Sequence, residues 1–137
     1  MISRLSHVSF FVLDQQSARD FYVNKLGFEI KMDVSMGDKG TWLSVAPKGQ
    51  DIEITLIPVN FEMMFKKDTG EKLAALIRAK AFGYGVFECA DIFGTCLELK
   101  SKGVEFLKEP QEGSEKPEAI FRDDSGNFLG LCQAGRN

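Results

Sequence analysis

The 137-residue chain carries 17 Lys and Arg against 20 Asp and Glu, a net charge of −3, with 44% hydrophobic residues that include twelve phenylalanines. This is enough apolar material for the core of a single domain, and the interspersed charges contain no basic block to follow a phosphate backbone, so nucleic acid is not an expected partner. No apolar run approaches the roughly 20 residues that cross a bilayer, and the N-terminus lacks the pattern of a secretion signal, so no membrane partner and a cytoplasmic location are expected.

The stretch "HVSFFVL" from His7 is rich in β-branched and aromatic residues and predicts a strand, with His7 the only histidine of the chain. Asp14 then stands where an N-cap is needed, ahead of Ala18, Phe21, Tyr22 and Leu26 at helical spacing, and Gly27 closes the helix. "FEIKMDV", "TWLSVA" and "DIEITLIPV" predict three strands separated by the turn-like "SMGDKG" and "PKGQ". Residues 59–70 break the rhythm and are expected to form a linker; the methionine-rich "NFEMMFKKDTGEK" suits a mobile flap, a dimer contact or a plain connection. A short helix is predicted around "EKLAALIRA".

"GYGVFECA" resumes with strand character, Asp91 caps a second helix, "DIFGTCLELKSKG", that ends at Gly103, and strands follow at "VEFL", "EAIFRD" and "FLGLCQ". Cys89, Cys96 and Cys132 are odd in number and form no CxxC pair, which argues against a disulfide framework and a structural zinc. Each is expected to act as a small buried hydrophobe. "FRDDSGN" lacks the alternating spacing of a calcium loop and is expected to be a tight turn.

Both halves thus read β-α-β-β-β. Asp14 and Asp91 lie 77 residues apart, as do Gly49 and Gly126, and Gly27 and Gly103 lie 76 apart. Caps, helix ends and hairpin turns recurring at one offset predict two pseudo-equivalent modules: residues 1–58, a linker and short helix over 59–80, and residues 81–137. The same offset carries His7 to Tyr84 and Glu53 to Gly130.

The blocks "LSHVSFFVLDQQSARDFYVNKLGFE", "DIEITL", "GYGVFECADI", "KGVEF" and "FRDDSGNFLGL" together resemble the glyoxalase I / bleomycin-resistance / extradiol dioxygenase family, the vicinal oxygen chelate superfamily. The resemblance covers almost the whole chain. It implies an α+β fold of two tandem βαβββ modules whose curled mixed sheets form a cleft, and commonly a homodimer. In the family, the first and last strands of each module supply ligands to a divalent metal. His7 and Glu53 match the first pair; Tyr84 and Gly130 occupy the other two positions, so the set is incomplete.

Strand alternation puts His7, Ser9, Phe11 and Leu13 on one face, which the resemblance assigns to the cleft, along with Glu53, Thr55 and Ile57. The same parity gives Tyr84, Val86, Glu88, Gly130 and Cys132 in the second module. Phe10, Phe21 and Phe87 are expected beneath the helices. The candidate ligand-binding residues are therefore Ser9, Phe11, Trp42, Thr55, Tyr84 and Glu88, with Ser44 as a polar contact and Phe121 as a further ring. His7 and Glu53 are the candidate catalytic and metal residues. Three functions stay open. The first is a cleft that binds a small, partly aromatic or oxygen-rich molecule without metal. The second is a metal-dependent lyase, isomerase or dioxygenase with a nonstandard third ligand such as Tyr84 or Glu88. The third is a partner-binding module with a filled cleft.

Overall fold

The computed structural model describes residues 1–135, apart from the side chain of Tyr84. Strands β1 (His7–Val12), β2 (Glu29–Ser35), β3 (Thr41–Ala46) and β4 (Glu53–Pro58) surround helix α1 (Gln15–Asp20) in the chain; β5 (Gly83–Cys89), β6 (Phe106–Lys108), β7 (Glu118–Arg122) and β8 (Phe128–Gln133) do the same for α3 (Ile92–Ser101). Helix α2 (Lys67–Arg78) joins the halves. Each half makes one four-stranded mixed sheet, ordered β1-β4-β3-β2 and β5-β8-β7-β6, with the first and last strands parallel and the others antiparallel. The two βαβββ modules of an α+β fold are present.

The repeated residues perform equivalent jobs. The Asp14 and Asp91 carboxylates accept hydrogen bonds from the backbone N–H of Ser17 and Gly94, three residues on, as N-caps do. Gly49 and Gly126 turn their hairpins at φ +77° and +106°, a region that an L side chain resists.

One apolar cluster runs through both modules. Phe10, Val12, Phe21, Tyr22, Leu43 and Leu56 come from the first half, and Ile92, Cys96, Leu99, Phe121, Leu129 and Leu131 from the second. Phe10 and Phe28 meet the Phe87 ring with centroids 6.5 and 5.3 Å away, across the junction. Phe10 and Phe21 are buried as expected. Phe121, taken above as a cleft ring, is 1% exposed and belongs to this core, because it faces Phe106 from the helix-covered side of its sheet. Of the cysteines, Cys96 is buried, while Cys89 and Cys132 are half-buried.

Two local features depart from simple periodicity. After Asp20 the helix widens into a π-helical turn over Phe21–Lys25, where Leu26 N–H donates to Phe21 O. The wider turn lets the consecutive Phe21 and Tyr22 both enter the core. Helix α2 begins at Lys67, inside the stretch expected as a linker. Gly70 lies in its first turn, and a Cβ there would stand 2.2 Å from the Val59 carbonyl oxygen. Glycine is what allows the helix to rest directly on the chain leaving β4.

Candidate functional site

Parallel pairing of β1 with β4 sets His7 against Glu53, Ser9 against Thr55 and Phe11 against Ile57. Antiparallel pairing of β3 adds Ser44 beside Thr55, and β2 adds Met32 beside Ser44 and Val34 beside Trp42. Period-two alternation carries these side chains to the face opposite the helix. His7 Nε2 lies 3.0 Å from Glu53 Oε2, the Ser44 hydroxyl donates to Glu53 Oε1 at 2.7 Å, and the Ser6 hydroxyl lies 2.8 Å from His7 Nδ1.

This chain of contacts selects the tautomer. A carboxylate only accepts, so the Nε2 facing Glu53 carries a proton, and Nδ1 of the neutral ring accepts from Ser6. The His7 side chain is 46% exposed and that of Glu53 21%, so the pair sits at a rim that solvent or a ligand reaches. Ser9 is exposed beside it. Thr55 and Ser44, by contrast, are 1% and 0% exposed. They lie beneath the surface, Ser44 fixing the carboxylate rather than meeting a ligand.

Further along the same face, the segment after β4 folds over it. Phe65 meets Phe11 edge to face at 5.4 Å, and Phe61, 5% exposed, lies 6.4 Å from Trp42. Phe11 and Trp42 are half-buried under these rings, while Met63 and Met64 of the covering segment point to solvent. The face therefore grades from a polar rim at His7 to an aromatic end at Trp42. The covering rings were not legible as such in the sequence; the alternation of Phe61 and Phe65 with exposed methionines was the available signal.

The second module presents a different face. Val86 is 69% exposed, Phe128 40% and Glu88 exposed. Val86 pairs with Gly130 and Glu88 with Cys132, but an irregularity between Gly83 and Val86 leaves Gly83 opposite Phe128. This register corrects the constant offset of 77. Val86 faces Gly130 as Ser9 faces Thr55, so Gly130 holds the place of Thr55, and the place of Glu53 is held by Phe128. The cause is a hairpin arm two residues shorter: Gly49 precedes Thr55 by six residues, Gly126 precedes Gly130 by four. Tyr84 lies at the irregularity, and its side chain is outside the described residues. Among the described residues, no group of three His, Cys, Asp or Glu side chains comes together.

A second constellation was missed by the sequence reading. The turn at 123–127 is not only tight but fastens one module to the other. Asp123 Oδ1 accepts from the backbone N–H of Ser125, Gly126 and Asn127, and its Oδ2 accepts from the buried Tyr22 hydroxyl at 2.9 Å and from Asn127 Nδ2. Asn127 Nδ2 also donates to Phe11 O, and Leu13 N–H donates to the Ser125 hydroxyl. Burial pushes the Asp123 carboxyl above its usual range despite these donors. Desolvation and the neighbouring Asp123 charge push Asp124 up to about 6, against the pull of a hydrogen bond from Ser17. Partners more than 100 residues away hide this fastening from any local pattern.

Comparison with known proteins agrees with the architecture. The family described as the Glyoxalase/Bleomycin resistance protein/Dioxygenase superfamily matches residues 4–131. The protein YetH of Bacillus subtilis (strain 168), described as uncharacterized, is 39% identical over 129 residues, which span 94% of this chain and 97% of its own. The crystal structure of UcmS2 superposes with a TM-score of 0.88 at 39% identity, covering 96% of this chain and 98% of the other. TnmS3, an antibiotic binding protein from Streptomyces sp. CB03234, gives 0.74 at 30% identity, with 98% of each chain covered. The chain belongs to the Glyoxalase/Bleomycin resistance protein/Dioxygenase superfamily.

Proposed function

We propose that this superfamily member binds a flat, oxygen-rich aromatic molecule of the antibiotic type in its cleft and holds it without chemical conversion. The observation that carries the reading is the graded face of the first module. Its half-exposed His7–Glu53 pair, with Ser9 beside it, offers one donor and one acceptor edge, and Trp42 and Phe11 offer rings beyond. Clefts that bind drug-sized molecules combine an apolar lining with a few placed polar groups in this way. The antibiotic-binding relative TnmS3 supports the same ligand class.

We read the metal site as degenerate. A catalytic divalent ion takes three or more protein donors and an open position. Here two donors are spent on each other and on Ser44, and the corresponding positions of the second module hold Tyr84 and Phe128. This donor set does not fit the ion. The alternative reading, a metal-dependent lyase, isomerase or dioxygenase, would require a third donor that the described residues do not bring to His7.

A homodimer completes the reading. Val34 and Met32 on the first module, and Val86, Leu107 and Phe128 on the second, expose apolar surface from the faces turned away from the core. A second copy of the chain would cover both, and symmetric pairs are the commonest assemblies. The test is a thermal-shift screen against planar aromatic antibiotics and hydroxylated aromatic acids. A ligand at about 100 times its Kd adds about 2.7 kcal/mol and raises the Tm accordingly. His7→Ala and Glu53→Gln are expected to remove that shift; a panel that stabilises neither wild type nor variant would overturn the proposal.

A further inference from the structure

The Asp123–Asn127 fastening has an equivalent position on the other side of the molecule, where the turn at 47–50 of the first module approaches β5 and α3. The offset of 77 that relates the two turn glycines puts Ala46, Lys48 and Gln50 in the places of Asp123, Ser125 and Asn127. It puts Leu99 in the place of Tyr22, and Glu88 and Ala90 in those of Phe11 and Leu13. Every polar member of the fastening has been exchanged. Among the described residues, no hydrogen bond joins the 47–50 turn to β5 or α3.

A cavity of about 550 Å³ lies there instead, within the range typical of small-molecule sites. Its wall is built from Phe28, Phe87, Leu99 and Leu131, core side chains that the turn fails to cover. Lys48, Glu88, Cys89 and Thr95 also line it. Lys48 has no ion-pair partner among the described residues. Strand β5 is the edge of its sheet, bonded to β8 alone. Its free side is the one that, on β1, receives the second module's turn through Phe11 O and Leu13 N–H.

We propose that this cavity is a second ligand site, separate from the cleft of the first module, for an N-acylated aromatic amino acid or a compound of that class. The chemistry matches group by group. An aromatic body fits against Phe28 and Phe87. An amide supplies what the missing turn contacts would have given the β5 edge, as an added strand does. A single carboxylate pairs with Lys48, and Glu88 in the lining disfavours a second negative charge.

N-dansyl-L-phenylalanine tests this, because it carries the ring and the carboxylate, its sulfonamide N–H stands in for that of the amide, and it brightens in an apolar site. Fluorescence titration of the full chain is expected to show saturable binding, one probe per chain. Lys48→Glu, and replacement of the probe by its neutral amide, should each weaken binding by about tenfold or more. Leu99→Trp should fill the cavity and abolish it. At saturation, the probe should also slow iodoacetamide alkylation of Cys89, read by peptide mass spectrometry at about pH 9, since burial pushes that thiol up. If Leu99→Trp fails to fold, judged by circular dichroism, the Lys48 variant and the Cys89 footprint decide. Binding unchanged by Lys48→Glu, or Cys89 alkylated at the same rate with and without probe, overturns the proposal. The cleft proposal is independent, since it is read from a different ligand panel and from His7 and Glu53.

Discussion

The two hairpin turns that reach across the module junction make opposite use of the same place in the repeat. The one at 123–127 satisfies a tyrosine hydroxyl and two backbone groups of the other module, while the one at 47–50 satisfies none and leaves a cavity. The features the two modules share are those the backbone demands, the capping aspartates of the helices and the turn glycines at positive φ. Their differences are side chains that the backbone leaves free. The repeat thus shares a scaffold while its junction is firm on one side and open on the other.

The largest expected effect tests that contrast directly. Asp123→Ala removes the acceptor for the buried Tyr22 hydroxyl, the Asn127 amide and three backbone N–H groups. It should cost about 3 kcal/mol in urea unfolding, the scale of lost charge-assisted bonds and stranded buried donors. Gln50→Ala, at the place of Asn127, should change stability by less than about 0.5 kcal/mol, as surface changes do. Equal losses in the two variants would show that the junction is not asymmetric.

The two outward sheet faces differ next. A Cβ at Gly130 would stand 2.9 Å from Val86 Cγ2, whereas the equivalent Thr55 sits opposite the small Ser9. Gly130→Ala should cost about 1 kcal/mol, the scale of overpacking by one methyl group. Because Val86 is largely exposed, Val86→Ala should cost little alone and should rescue Gly130→Ala. Additive losses in a double-mutant cycle would rule out that contact as the cause. On the first face, His7→Ala should lower stability by at most about 1 kcal/mol, because a half-exposed histidine–carboxylate contact contributes little. Urea unfolding of the ligand-free protein checks this, and a much larger loss would make His7 a structural residue first.

How far the sequence revealed these features follows from how local their causes are. Asp14, Asp91, Gly49 and Gly126 act on backbone within a few residues, and their roles were readable from spacing. The faces of β1 and β4 were readable too, because alternation and the pairing of His7 with Glu53 require no knowledge of the other module. The counterpart of Glu53 was not: the constant offset gave Gly130, but a hairpin arm two residues shorter and an irregularity at Tyr84 shift the register and put Phe128 there without changing the motif. Phe121 was misplaced for a related reason: parity alone does not say which side of a sheet a helix covers. Helix α2 was begun too late because residues 59–70 break the strand rhythm without helical spacing, and only the close packing of Gly70 on the Val59 carbonyl shows how the helix starts there.

The smallest expected effect is a pH dependence confined to the fastened side. Asp124 lies next to Asp123 and takes a hydrogen bond from Ser17 of α1, and its carboxyl is pushed up to about 6. A group that binds its proton more tightly in the folded state favours folding while protonated. Its contribution is complete below the unfolded value of about 4 and is lost as pH rises through about 6. Much of the residue's surface remains open to solvent, so the change in stability is modest. Asp124→Asn has no proton to lose, so the Tm of wild type relative to this variant should fall between about pH 4 and pH 6, with its midpoint near 5. Burial raises Asp123 in the same direction, but that titration remains in both proteins and largely cancels in the difference. A difference curve flat across this range would show that the second carboxylate of the turn is solvated like an ordinary surface group, and that the fastening depends on Asp123 alone.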